Sequence, residues 1–282
     1  MSGTLRVIRD AGVVARLRHR GRREGRGPGR VVVIHGARAG AGCSTLAASL
    51  AWCWARSSGP VLLVDLALQG ADQDLLWQVT PQHRLEAVLE GEVPVHEAWT
   101  GMPGGVRLLL GPVEPLRGQG PDPWALERLL GWMADRHPVV IVDTSAGYDE
   151  ANRAILARAD RVLVPVPAEI TQLRAARALP ALWASRGLAS DRFSFLLARR
   201  PGGPERELAS RILDRPLDGI MPWVPDASGS ARDRGVPLVS LRSGRSYLSA
   251  LEDLARRLWP ETGLGSGWTL PWWPSRLRGG RA

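Results

Sequence analysis

Residues 36–45, Gly-Ala-Arg-Ala-Gly-Ala-Gly-Cys-Ser-Thr, follow an apolar run from Val31 to His35 and precede an alanine-rich stretch. A glycine-rich turn between a strand and a helix aims backbone N–H groups, and the positive end of the helix dipole, at an anion. The pattern G-x-x-x-x-G-K-[ST] uses that geometry for nucleotide phosphates, with a lysine on the β/γ-phosphates and a hydroxyl on Mg²⁺. Gly42 and Ser44 keep their places here, but Cys43 stands where the lysine belongs and Ala37 where the first glycine belongs. No other lysine can substitute, because all 37 Lys+Arg residues are arginine. The candidate phosphate-binding residues of the loop are Gly40, Ala41, Gly42, Cys43, Ser44 and Thr45.

Two further apolar runs end in an acid: Val61-Leu-Leu-Val-Asp65 and Val139-Val-Ile-Val-Asp143. Ligands of doubly wound sheets bind outside the carboxyl ends of the strands, so the loop, Asp65 and Asp143 converge in such a fold. Ser44 and Asp143 are then the candidate Mg²⁺ residues, the carboxylate acting through water. As isolated residues the two aspartates read equally as turn or capping groups; their order and spacing from the loop favour convergence. Cys43 at a helix N-terminus is placed for a lowered thiol pKa and redox sensing. The plainer reading is a small residue in the lysine's position.

The elements that must position these groups follow from hydrophobic patterning. Short Val/Ile/Leu runs predict strands at Val31–His35, Val61–Asp65, Val106–Leu110, Val139–Asp143, Arg161–Val166, Phe193–Leu197 and Ile220–Trp223. Amphipathic stretches predict helices at Ser44–Arg56, Arg84–Glu90, Pro123–Arg136, Asn152–Arg158, Ile170–Ser185, Pro204–Leu213 and Ser246–Trp259. Near-continuous apolar strands alternating with helices specify an α/β fold: a doubly wound, mostly parallel sheet with helices on both faces, three-layered and P-loop NTPase-like.

The net charge of +9 is concentrated at the ends. Residues 1–30 hold nine arginines against Asp10 and Glu24, and residues 263–282 hold Arg276, Arg278 and Arg281 with no acid. The stretch between them is nearly neutral. Three segments result: a basic arm (1–30), expected to be disordered; a P-loop domain (31–262); and a tail (263–282) rich in Trp, Pro and Arg. The arm has the charge to bind nucleic acid, although a solvated tail is the simpler reading. In the tail, Trp268, Trp272 and Trp273 precede the arginines, a combination suited to peripheral contact with an anionic membrane, while Pro271 and Pro274 interrupt any helix. No run reaches the roughly 18 apolar residues of a membrane span and no signal core follows the first charges, so a cytoplasmic location is expected, with peripheral contact at the inner face of the membrane. Cys43 and Cys53 lie about 15 Å apart on one predicted helix, too far for a disulfide. Most of the tryptophans, Trp52 and Trp132 among them, are expected to serve packing or an interface.

At the loop and the two acids the chain resembles the MinD/ParA family of deviant Walker-A ATPases, whose loop reads K-G-G-x-G-K-[ST]-T. Arg38 falls on that family's signature lysine, Gly40 and Gly42 on two of its glycines, and Ser44 and Thr45 on its hydroxyl pair. Asp65-Leu-Ala-Leu-Gln69-Gly70 is similar to D-x-D-x-Q-G, and Asp143-Thr-Ser-Ala-Gly147 to D-x-P-A-G. The likeness continues through Leu85–Val93, Ala159–Glu169, Arg199 and Pro222–Leu238, and spans residues 31 to about 259. Within the family it is nearest the CpaE/TadZ branch, whose members often lose the catalytic lysine and localise pilus or secretion machinery. The resemblance implies ATP or ADP with Mg²⁺, a homodimer, Asp65 as a catalytic carboxylate, and Arg38 as a nucleotide-binding residue reaching the partner's phosphates. Pilus or secretion proteins are the implied partners.

Two departures bear on activity. Cys43 removes the phosphate-neutralising cation, and Ala67 replaces the second aspartate of D-x-D, the carboxylate linked to the attacking water. Phosphoryl transfer depends on such positioning and charge stabilisation, at ~10²–10³ in rate per stabilising group, so losing both implies negligible hydrolysis and weak binding. The competing readings are an active partition ATPase that uses the basic arm on DNA, and a septum-site regulator.

Overall fold

The computed structural model describes residues 29–114 and 121–262. The expectations for the arm through residue 28 and for the tail from residue 263 lie outside the described residues.

Eight strands form one sheet. In chain order they are β1 (Arg30–His35), β2 (Val61–Leu66), β3 (Trp99–Gly101), β4 (Val106–Leu109), β5 (Val139–Thr144), β6 (Arg161–Pro167), β7 (Phe193–Ala198) and β8 (Gly219–Met221). Their spatial order is β3-β4-β2-β5-β1-β6-β7-β8, parallel throughout except for the antiparallel β3–β4 pair at one edge. The helices are α1 (Cys43–Ser58), α2 (Gln73–Trp77), α3 (Leu85–Leu89), α4 (Val95–Ala98), α5 (Pro123–Ala134), α6 (Glu150–Ala157), α7 (Ile170–Ala184), α8 (Arg206–Leu213), α9 (Pro225–Arg234) and α10 (Arg245–Leu258). The expected three-layer, doubly wound architecture is present. The connection from β1 leads toward the β3 edge and that from β6 toward the β8 edge, so a crevice opens at the carboxyl end of the central strand β1.

Strand parity assigns each side chain to a face. Val31 and Val33 of β1, Leu62, Val64 and Leu66 of β2, and Val140 and Val142 of β5 pack into one core with α3, α5, α6, α7 and α8. The alternate residues Val32, Ile34, Val61, Leu63, Val139 and Ile141 pack into a second core with α1, α9 and α10. By the same two-residue period, Asp65 and Asp143 belong to the α1 face. His35 and Thr144 belong to the opposite one. The tryptophans on the α1 face serve packing, as expected: Trp54 lies 4.8 Å from Trp259 and Trp52 lies 6.4 Å from Trp77 between ring centroids.

Several elements differ from the sequence expectation. The edge strand β3 was not anticipated, because three residues are too few for a period to register. The last strand runs from Gly219 to Met221 and stops before Pro222, where a backbone donor is lost. Helix α9 also escaped the patterning, since Pro225-Asp-Ala-Ser-Gly-Ser-Ala-Arg-Asp-Arg buries only Ala227 and Ala231. Two alanines four residues apart do not make a visible apolar stripe.

His35, at the end of β1, is fully buried beside Trp183 and shares a 3.0 Å hydrogen bond with the Thr144 hydroxyl, its register partner on β5. Burial pushes its pKa down to about 4, with Asp149 opposing slightly. The imidazole is therefore neutral in the fold while the unfolded chain protonates near 6.5, so folding loses stability as pH falls from about 6.5 toward 4. His35→Phe keeps a ring against Trp183 and removes the titration. Thermal melts across pH 7 to 4 should show a smaller loss of Tm for this variant than for the wild type; parallel curves would contradict the assignment.

Candidate functional site

The loop from Gly36 to Gly42 leaves β1 and enters α1. Gly40 and Gly42 adopt φ of 76° and 90°, a left-handed backbone that suits glycine and strains other residues. Ala37 is not among the residues with positive φ, so the missing first glycine costs the loop no strain. The Cys43 sulfur lies 3.0 Å from where a Cβ on Gly36 would stand, so the thiol is folded back beneath the loop. Burial, reinforced by Asp143, pushes the thiol pKa well up. The lowered pKa of a redox-sensing thiol is therefore not realised, because desolvation outweighs the helix N-terminus.

Asp65 and Asp143 sit directly opposite one another on paired strands, both essentially inaccessible to solvent. Asp65 accepts backbone N–H bonds from Ala67 at 3.0 Å and Gln73 at 3.1 Å. Asp143 accepts from the Gln73 side chain at 2.8 Å, and its Oδ1 is buried without a hydrogen-bond partner among the described residues. Burial raises the Asp65 pKa to about 6 against the pull of those two N–H bonds. Asp143 is likewise pushed well up, by burial and then by Asp65, with the Gln73 and Ser44 side chains offsetting part.

Gln73 joins these groups. The Trp77 indole N–H, which can only donate, bonds to Gln73 Oε1 at 3.1 Å, and this fixes the amide orientation. The NH₂ group then reaches Asp143 and, at 3.1 Å, the Ser44 carbonyl. Sequence reasoning missed Gln73, and no local signal marks it: it is one polar residue in a five-residue helix.

The carboxylates of Asp65, Asp72 and Asp143 offer oxygens within 4.8 Å of one another, with Ser44 alongside Asp143. All-oxygen donors, a buried carboxylate oxygen left without a partner and an uncompensated charge suit a hard divalent cation such as Mg²⁺. Ser44 and Asp143 are the residues that would hold it.

A cavity of about 350 Å³ opens beside the loop. Gly40, Ala41, Gly42 and Thr45 form one wall; Trp223, Arg200 and Arg232 belong to another, with Tyr247 nearby. Arg200 stacks on the Trp223 ring at 4.9 Å. Arg38 does not line that cavity but a separate one of about 500 Å³, with Gly147, Tyr148 and Gln172. Among the sequence-selected residues, the structure thus groups Gly40, Ala41, Gly42 and Thr45 at the cavity, turns the Cys43 sulfur toward Gly36, sets Asp143 beside Ser44 with Asp65 opposite Asp143, and puts Arg38 in a separate cavity.

A strand–glycine loop–helix unit with acids at two neighbouring strand ends, on a parallel three-layer sheet, defines a P-loop nucleotide-binding fold. Its particular form is the MinD/ParA ATPase fold. The septum site-determining protein MinD from Pyrococcus horikoshii, solved with Mg-ADP, matches at a TM-score of 0.73 and 22% identity, over 84% of this chain and 98% of that one. A ParA family ATPase from Chlorobium tepidum matches at 0.72 and 19% identity, over 81% and 99%. In sequence, the antiactivator FleN of Pseudomonas aeruginosa is 28% identical over 209 residues, 70% of this chain and 72% of that protein. No protein-family model matches the chain. Among the described residues, no helix is long and apolar enough to cross a membrane.

The paired carboxylates set a pH dependence. Both folded-state pKa values lie above the ~4 of an unfolded aspartate, so the stability they contribute is present at low pH and is lost as pH rises through about 6 and beyond. Asp143→Asn leaves an acceptor for Gln73 and removes the second charge. It should raise the Tm of the nucleotide-free protein at pH 8, and by less at pH 5; an equal gain at both would rule out charge repulsion as the cause.

Proposed function

We propose that this protein is a nucleotide-binding positioning factor of the MinD/ParA type. It binds ATP or ADP with Mg²⁺ weakly, hydrolyses it negligibly, and acts as a dimeric scaffold for a pilus or secretion apparatus in the manner of CpaE/TadZ proteins. The carrying observation is the loop itself: a phosphate-binding backbone kept intact around Gly40, Gly42, Ser44 and Thr45 with Cys43 in the lysine's place. Asp65 keeps its position at the end of β2, but Ala67 has no carboxylate to orient a water, and Asp65 spends its oxygens on backbone N–H groups. Such a site favours binding over turnover. The relative named as an antiactivator supports a protein as the partner rather than DNA.

Calorimetry with MgATP and a phosphate-release assay test the reading. Cys43→Lys should tighten MgATP binding by restoring a direct charge contact, and hydrolysis should appear only when Ala67→Asp is added. Wild-type turnover at the level of lysine-bearing relatives, or an unchanged affinity in Cys43→Lys, would refute it.

Self-association is expected through the loop face, with Arg38 reaching across to the partner's phosphates from its separate cavity. Light scattering with MgATP should show a dimer for the wild type and a larger monomer fraction for Arg38→Ala. A strict monomer under all conditions would remove both the dimer and this role for Arg38.

A further inference from the structure

The nucleotide reading leaves a charge problem. An ordinary loop lysine sits against the phosphates, whereas here the loop's own position is taken by a half-buried thiol and the chain contains no lysine at all. The Cys43 side chain has no ammonium or guanidinium group to set against a phosphate. Apart from an Arg38 reaching over from a second subunit, the cations available to this cavity are those of the side chains that line it.

Three arginines line that cavity: Arg199, Arg200 and Arg232. Two of them are already engaged. Arg199 pairs with Glu205 at 3.1 Å, and Arg200 pairs with Glu169 at 3.0 Å while stacking on Trp223. The Arg232 guanidinium has no hydrogen bond or ion pair among the described residues. It also lines a second, smaller crevice together with Thr45 and Ser228, which sets it near the first turn of α1, where loop N–H groups converge on an anion.

Its backbone is held in place. The Gln78 side chain donates to the carbonyls of Arg232 at 3.2 Å and Asp233 at 3.0 Å, and α9 ends at Gly235 with φ of 59°, where a Cβ would collide with Gln78. Gln78 follows directly on α2, the helix that Gln73 ties to Asp143 and to the Ser44 carbonyl. The position of Arg232 is thereby linked through two glutamines to the loop it faces.

We propose that Arg232 is a phosphate-binding residue, supplying from α9 the positive charge that Cys43 cannot supply from the loop, for the diphosphate portion of a nucleotide. The assignment rests on the nucleotide reading and adds to it the source of the cation. An arginine also offers a rigid planar fork of N–H donors that matches two phosphate oxygens, where a lysine is a flexible point charge.

The test is calorimetry of the full-length protein with MgADP and with adenosine, for wild type, Arg232→Ala and Arg232→Lys, with melting curves confirming the fold. The wild type should bind MgADP more tightly than adenosine. Arg232→Ala should lose about tenfold for MgADP and nothing for adenosine, with a shallower salt dependence, and Arg232→Lys should recover most of the loss. If the wild type binds MgADP and Arg232→Ala binds it equally well, Arg232 is not the cation and the nucleotide reading survives. If Arg232→Ala loses adenosine and MgADP in equal proportion, the residue shapes the cavity and the phosphate assignment is wrong. If the wild type binds neither, the nucleotide reading itself fails and the assignment fails with it.

Discussion

Two buried carboxylates placed side by side, with no basic residue of the loop to balance them, form the constraint on which the site depends. Asp65 and Asp143 are register partners on neighbouring parallel strands, and strand parity turns both toward α1. Burying one charge is expensive and burying two in contact is more so, unless protons, hydrogen bonds or a cation intervene. The fold supplies hydrogen bonds from the Ala67 and Gln73 backbone N–H groups and the Gln73 amide, and leaves Asp143 Oδ1 without a partner among the described residues. That arrangement pushes both carboxyl pKa values up and leaves a buried oxygen where a metal ion fits.

Gln73 shows how packing becomes electrostatics. Trp77 is buried against Trp52 of α1, and its indole N–H leaves the glutamine a single useful orientation. Both amide hydrogens then serve the carboxylate and the Ser44 carbonyl. A short helix that contributes little apolar surface thus links α1, β5 and, through Gln78, α9.

The exclusive use of arginine shapes the rest of the cavity. Guanidinium groups are bulky and planar, stack on indoles and pair with carboxylates, as Arg200 does with Trp223 and Glu169. Such a group suits the wall of a cavity, and Arg200 and Arg232 line the one beside the loop.

Much of this was determined by the sequence alone. Apolar runs ending in Asp65 and Asp143, and glycines at 40 and 42, fix strand ends and a loop by local rules: near-continuous apolar strands mean a sheet buried on both faces, and positive φ calls for glycine. The three-layer parallel fold follows from that alternation. Tertiary structure decided what depends on neighbours distant in the chain. It set the Cys43 thiol under Gly36 and so raised its pKa where a helix N-terminus alone would lower it. It brought Gln73 to Asp143 across 70 residues, placed Arg232 opposite Thr45, and turned Arg38 into a different cavity. Helix α9 and strand β3 lacked a readable period because one buries two alanines and the other has three residues. Periodicity reports which face of an element is buried; the partner that covers it, and the dielectric that partner creates, exist only once the chain has folded.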